Sequence, residues 1–184
     1  MITRRALEHV LRACASITGE KRFVVVGSSG IVAIVDNPPP EMLKTREIDL
    51  YAPDASDVER VSDLIDGSIG SGSLFESTFG YAADGVSPGT AVLPADWRTR
   101  ATIFSSEDSG GATAVIPSIN DIALSKLVAW REKDREWIAA AIAHGFADPD
   151  QIAGIAASLP PTDTPPEELQ RRLAVIGNPP RPVL

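Results

Sequence analysis

Two acids, Glu47 and Asp49, stand two positions apart in the stretch TREIDLY, which otherwise has the character of a buried strand. Successive side chains of a strand point to opposite faces, so Glu47 and Asp49 share one face while Ile48 and Leu50 share the other. Positions so spaced lie about 6.5 to 7 Å apart, close enough for both carboxylates to lean onto one Mg2+. A solvated acidic face is the alternative. Upstream, VVVGSSG carries an apolar run into Gly27, Ser28 and Ser29 at the start of a short helix. Glycine lets the chain turn and a ligand approach the backbone, and the hydroxyls can donate to phosphate oxygens where the helix dipole favours an anion. Alone, this is an ordinary turn. Magnesium, however, prefers one or two carboxylates plus substrate phosphates, so a phosphate seat beside an acidic strand has a chemical reason to exist. The lysine and long glycine spacing of a P-loop are missing.

The elements that must position these residues follow from periodicity. Ala6, Leu7, Val10, Leu11, Cys14 and Ile17 recur at helical steps over residues 3–17, and Gly19 stops them. RFVVVG reads as a buried strand, SSGIVAIVD as a short helix stopped by NPPP, and residues 46–51 as a second strand. A helix is predicted over 55–66, followed by the loop DGSIGSGS. TFGYAADGVS, ATIFSS and ATAVIPS have strand character. From Ser118, which with Asp121 resembles a capping box, one helix is predicted to run to His144 before Gly145. Further helices are predicted over 148–158 and 165–175, with an irregular tail GNPPRPVL. The order implies an α+β fold: a core over 1–117 and a helical part over 118–184, read as one compact unit.

On a continuous helix, Lys126, Trp130, Lys133 and Trp137 would fall within about 60° of one another. That stripe offers Lys126 and Lys133 to a triphosphate and an indole to a base; buried tryptophans with snorkelling lysines are the plainer reading. Arg131, Lys133 and Arg135 alternate with acids, as on a salt-bridged surface. His144 reads as a helix-end residue, and His9 has no visible partner. With two histidines and one cysteine, neither a zinc site nor a Ser-His-acid arrangement is supported. Cys14 reads as a packing residue. The formal charge of −8 repels nucleic acid at long range, so any RNA contact needs a local basic patch. The absence of a long apolar run and of a secretion-type N-terminus predicts a cytoplasmic protein with no membrane partner.

VVVGSSG and TREIDLY, with the later DIALSKLVAWREKDREWI, resemble the nucleotidyltransferase superfamily that shares the core of DNA polymerase β. The nearer resemblance is to an uncharacterised nucleotidyltransferase-like branch and to AbiEii-type toxins of bacterial toxin–antitoxin pairs, over residues 20–145. It implies a mixed sheet flanked by helices, with Gly27 and Ser28 at the triphosphate and Glu47 and Asp49 on Mg2+. Asp84 in YAADGV is the candidate third carboxylate; a turn aspartate before Gly85 is the alternative. Lys126 and Asp134 match a functional lysine and aspartate of the toxin branch. The implied reaction moves a nucleoside monophosphate from an NTP to an acceptor hydroxyl, with RNA, including a tRNA 3′ end, as acceptor and a cognate antitoxin as partner. Glu47 stands where the family has aspartate, which leaves open a decayed, merely nucleotide-binding or protein-interaction module. Ser29-Gly30 replaces the Arg-Gly of antitoxin-type protein adenylyltransferases and favours the toxin-like class over them.

Overall fold

The computed structural model describes residues 1–177; the tail beyond, predicted irregular, lies outside them. The chain divides into two compact units, one formed by Met1–Ala91 with Ala101–Pro117 and the other by Val92–Arg100 with the residues from Ser118 onward.

The first unit is an α+β layer structure. Helix α1 (Arg4–Thr18) starts at Thr3, whose side chain accepts from the Ala6 N–H, and ends at Gly19 with φ 80°. β1 (Arg22–Val26) leads into a 3-10 turn, Ser28–Gly30, and the short α2 (Ile31–Ile34). β2 (Glu47–Tyr51) is followed by α3 (Val58–Ile69), α4 (Leu74–Phe79) and β3 (Ala82–Gly85); β4 (Thr102–Phe104) and β5 (Thr113–Ile116) complete a sheet of order β3-β2-β1-β5-β4. β1 runs antiparallel to β2 and parallel to β5, while β3 runs parallel to β2. Phe23, Val25, Ile48, Leu50 and Ala83 point to one face of the sheet and are fully buried. α3 lies along β3 and β2 and packs against α1, burying Ile65 and Ile69.

Two predictions for this unit are corrected. The helix predicted over 55–66 is α3 and runs over 58–69, because Asp57 caps it, its carboxylate accepting from the Arg60 N–H at 3.0 Å. Part of the predicted strand around TFGYAADGVS is helix α4: Ser73 accepts from Glu76 N–H, and Glu76 in turn accepts from the Gly72 N–H at 2.7 Å. Six residues carry too little periodicity to announce that helix.

The second unit is helical: α5 (Ile119–Ala129), α6 (Glu132–Ala143), α7 (Pro149–Ile155) and α8 (Pro166–Gly177). The helix predicted over 118–144 is therefore two helices. The break falls at Trp130, whose φ of 55° is left-handed, and at Arg131. Asp134 explains it, because its buried carboxylate accepts from the Arg131 N–H at 3.3 Å and Nε at 2.6 Å, starting a new helix. With the helical phase reset, the Lys126–Trp130–Lys133–Trp137 stripe does not form. Trp137 is buried, Lys133 is exposed, and Trp130 lies half-buried between the guanidinium groups of Arg135 and Arg172, 5.6 and 5.0 Å from its ring. Residues 92–100 join this unit through Arg100, which donates to Asp121 at 2.7 Å, and through the Ala95 N–H, which donates to the Ser158 carbonyl at 2.8 Å.

Among the described residues, no helix is long and apolar enough to cross a membrane. Cys14 is buried, and burial pushes its thiol up to about 12.

Candidate active site

The acids that begin as a sequence pattern become a site through strand register. Val26 pairs with Asp49 across β1 and β2, and Asp49 pairs with Asp84 across β2 and β3. Residues in register on neighbouring strands point to the same side, so Glu47, Asp49 and Asp84 share the face opposite the apolar core. Asp84 thus stands on a strand and not in the turn before Gly85. Gly85 keeps that strand close to α3: a Cβ there would collide with the Ser62 carbonyl, and the Ser62 hydroxyl donates to the Val86 carbonyl at 2.9 Å.

Oxygen atoms of Glu47, Asp49 and Asp84 all lie within 4.8 Å of one another, and the three residues are half-buried. The extra methylene of Glu47 does not take its carboxylate out of this cluster. Asp84 Oδ1 is buried without a hydrogen-bond partner. Burial, and then repulsion from Glu47, Asp49 and Asp66, pushes the Asp84 carboxyl up to about 6, with the Ser71 backbone pulling the other way. An all-oxygen cluster of this kind, with one uncompensated buried oxygen, fits a hard divalent cation.

The Gly-Ser turn adjoins the cluster. Gly27 follows β1 with φ 76°, a conformation that favours glycine, and a Cβ there would stand 2.9 Å from Asp49 Oδ2. Ser28 is half-buried, and Ser29 is buried with an unpartnered hydroxyl. Gly30 is buried beside Ile116, whose Cγ2 would lie 2.7 Å from an added Cβ.

Of the other residues singled out in the sequence, Lys126 and Asp134 partner each other in the second unit. The Lys126 ammonium donates to Asp134 Oδ1 at 2.8 Å and lies 5.4 Å from the Trp137 ring centroid. Burial lowers the Lys126 pKa, with the Asp134 carboxylate opposing it. Burial acts to raise the Asp134 pKa, but hydrogen bonds from Arg131 and Lys126 outweigh it and hold the carboxyl low. Lys133 is exposed on α6. His144 caps α6 and stacks on Phe146, with ring centroids 6.0 Å apart. His9 acquires a partner the sequence did not show. Its Nδ1 lies 2.8 Å from the Tyr81 hydroxyl, among the rings of Phe75 and Phe79.

The Asp84 shift has a measurable sign. A carboxyl raised from 3.8 to about 6 by folding contributes stability that is present below 3.8 and lost as pH rises through about 6. In metal-free buffer this group therefore lowers Tm between pH 4 and pH 7. A divalent cation held by these oxygens would compete with the proton, so added Mg2+ is expected to raise Tm more at pH 7.5 than at pH 5. Thermal scans at both pH values, with and without Mg2+, check this; an equal Mg2+ effect at the two contradicts it.

No curated protein and no solved structure gives a significant match to the chain. A family model described as "Nucleotidyltransferase of unknown function (DUF6036)" matches residues 5–160, a span that takes in the turn, all three acids and α5 to α7. With that span matched, the chain belongs to this family of nucleotidyltransferases.

Proposed function

We propose that the protein transfers a nucleoside monophosphate from an NTP to an acceptor hydroxyl. The observation that carries this reading is the cluster of three carboxylates on one sheet face, set against the Gly27 turn.

Glu47, Asp49 and Asp84 would hold Mg2+. When bound, the cation neutralises phosphate oxygens and lowers the pKa of the acceptor hydroxyl. Gly27, lacking a side chain, lets the β- and γ-phosphates approach the backbone beside Asp49, and the hydroxyls of Ser28 and Ser29 donate to them. In the transfer, the acceptor oxygen forms a bond to the α-phosphorus. The bond from that phosphorus to the bridging oxygen breaks, and pyrophosphate leaves with the electron pair. With one oxygen of Asp84 on the cation, the other would take the acceptor proton. The Lys126–Asp134 pair, buried within the helical unit, is given no step in this transfer.

For the acceptor we favour RNA, with the tRNA 3′ end as first choice, and for the partner a cognate antitoxin, so that the protein acts as a toxin; both rest on the sequence resemblance. The test incubates the protein with each α-labelled NTP, Mg2+ and total RNA, and in parallel with cellular protein. Label in the RNA fraction is expected. Label in protein alone identifies an antitoxin-type protein adenylyltransferase. Absence of both label and Mg2+-dependent NTP binding identifies a decayed module.

A further inference from the structure

The helical unit carries a half-open apolar cavity that the proposed transfer does not use. Helices α5, α7 and α8 and the proline-rich segment 159–166 surround about 540 Å3. Leu124, Leu127, Ile152, Leu169 and Leu173 form the helical walls, and all five are buried side chains. Pro160, Pro161, Pro165 and Pro166 also line it and are exposed. Among the described residues, no charged and no aromatic side chain lines it.

We infer that this cavity is a binding site for a neutral aliphatic molecule, such as a medium-chain alcohol or another uncharged chain of similar length. Protein interiors leave few voids larger than a water molecule, and a water needs two to four polar partners to settle. Here the polar lining is meagre. Thr162 and Thr164 bond each other, the Thr162 hydroxyl donating to the Thr164 carbonyl at 2.9 Å and accepting from its N–H at 3.2 Å. Gln170 alone brings an exposed carboxamide, able to donate and accept at the rim. The volume exceeds three times the ~150 Å3 known to admit benzene into an apolar cavity, so roughly ten to twenty heavy atoms fit.

The walls also fix the ligand's chemistry. With no aromatic ring to stack on, an aliphatic chain gains as much from these walls as a planar ring would. Burying a charge without a partner is costly, so the enclosed part is uncharged. Ala153, Ala157 and the four lining prolines are exposed, so the cavity is open to solvent along its rim, and the five buried side chains form its floor.

The test uses the full chain and 1-decanol, with decanoate as the charged counterpart, measured by calorimetric titration and thermal shift. Decanol is expected to bind saturably at one per chain with a micromolar Kd and to raise Tm, and decanoate to bind at least tenfold more weakly. Ala157→Phe, placing a ring at an exposed position of the lining, should weaken decanol binding at least tenfold while leaving the ligand-free Tm unchanged or higher. Ala153→Phe is the second variant should the first fail to fold. The inference is overturned by no saturable decanol binding, by decanoate binding as tightly, or by decanol binding undiminished in a folded filled variant. Decanol dissociating a dimer in sedimentation also overturns it, since a second copy would then be the occupant. NTP titration of the same samples reports separately on the carboxylate site.

Discussion

On the proposed function, Asp49→Asn is expected to lower nucleotide transfer by at least about a thousand-fold, equivalent to roughly 4 kcal/mol of transition-state stabilisation, while raising Tm in metal-free buffer. The two effects have opposite signs for one reason. Asp49 lies in a cluster whose oxygens are within 4.8 Å of one another, and its charge helps push up the Asp84 carboxyl. Removing that charge relieves repulsion in the empty site and removes a ligand from the filled one. The conserved shape of asparagine keeps the approach to Gly27, where space beside Asp49 Oδ2 is narrow. Labelled-NTP assays and thermal scans on the same preparation read both quantities. Transfer retained within tenfold of the wild type would sink the role given to Asp49.

The largest effect on stability is expected at Asp134. Its side chain is 0% exposed and the Lys126 side chain 10%, so Asp134→Ala strands an ammonium in the interior of the helical unit. Breaking a buried pair from one side costs about 3–5 kcal/mol, a drop in Tm on the order of 10 °C for a chain of this length. Arg131, the other partner of Asp134, has its side chain 61% exposed and can return to water, so its loss adds little. The double change Lys126→Met with Asp134→Leu should recover most of the loss, because neither charge is then left without its partner. In Asp134→Ala alone, the stranded lysine has a folded pKa below its unfolded value, so the loss shrinks as pH rises toward the lysine range. Urea unfolding of the wild type and the two variants at two pH values measures this. A single-variant cost below 1 kcal/mol would show that Lys126 finds water readily and is not held by Asp134.

These residues also show how far a sequence can be read. Glu47 and Asp49 were legible because the period of a strand is two and needs no tertiary information. Asp84 was only a candidate, since the register of β3 against β2 depends on a connection of 30 residues, Ala52 to Tyr81, that sequence patterning does not fix. The partner of His9 was hidden for the same reason, Tyr81 being 72 positions away. The break between α5 and α6 was misread because the apolar and charged residues keep a helical rhythm through Trp130. What interrupts the helix is a buried carboxylate reaching back to the Arg131 backbone, and composition gives no sign that Asp134 is buried. The segregation of strands before residue 117 and helices after it was legible. The attachment of residues 92–100 to the helical unit was not, because contacts such as that of Arg100 with Asp121 join residues 21 positions apart.

Cys14 is the only cysteine, and the fold seals it inside the first unit with a thiol that ionises only at about 12. The native surface is therefore blank to maleimides and other alkylating dyes. Any thiol introduced by mutagenesis becomes a unique attachment point without first deleting a natural one, so paired fluorophores can report distances within each unit during turnover.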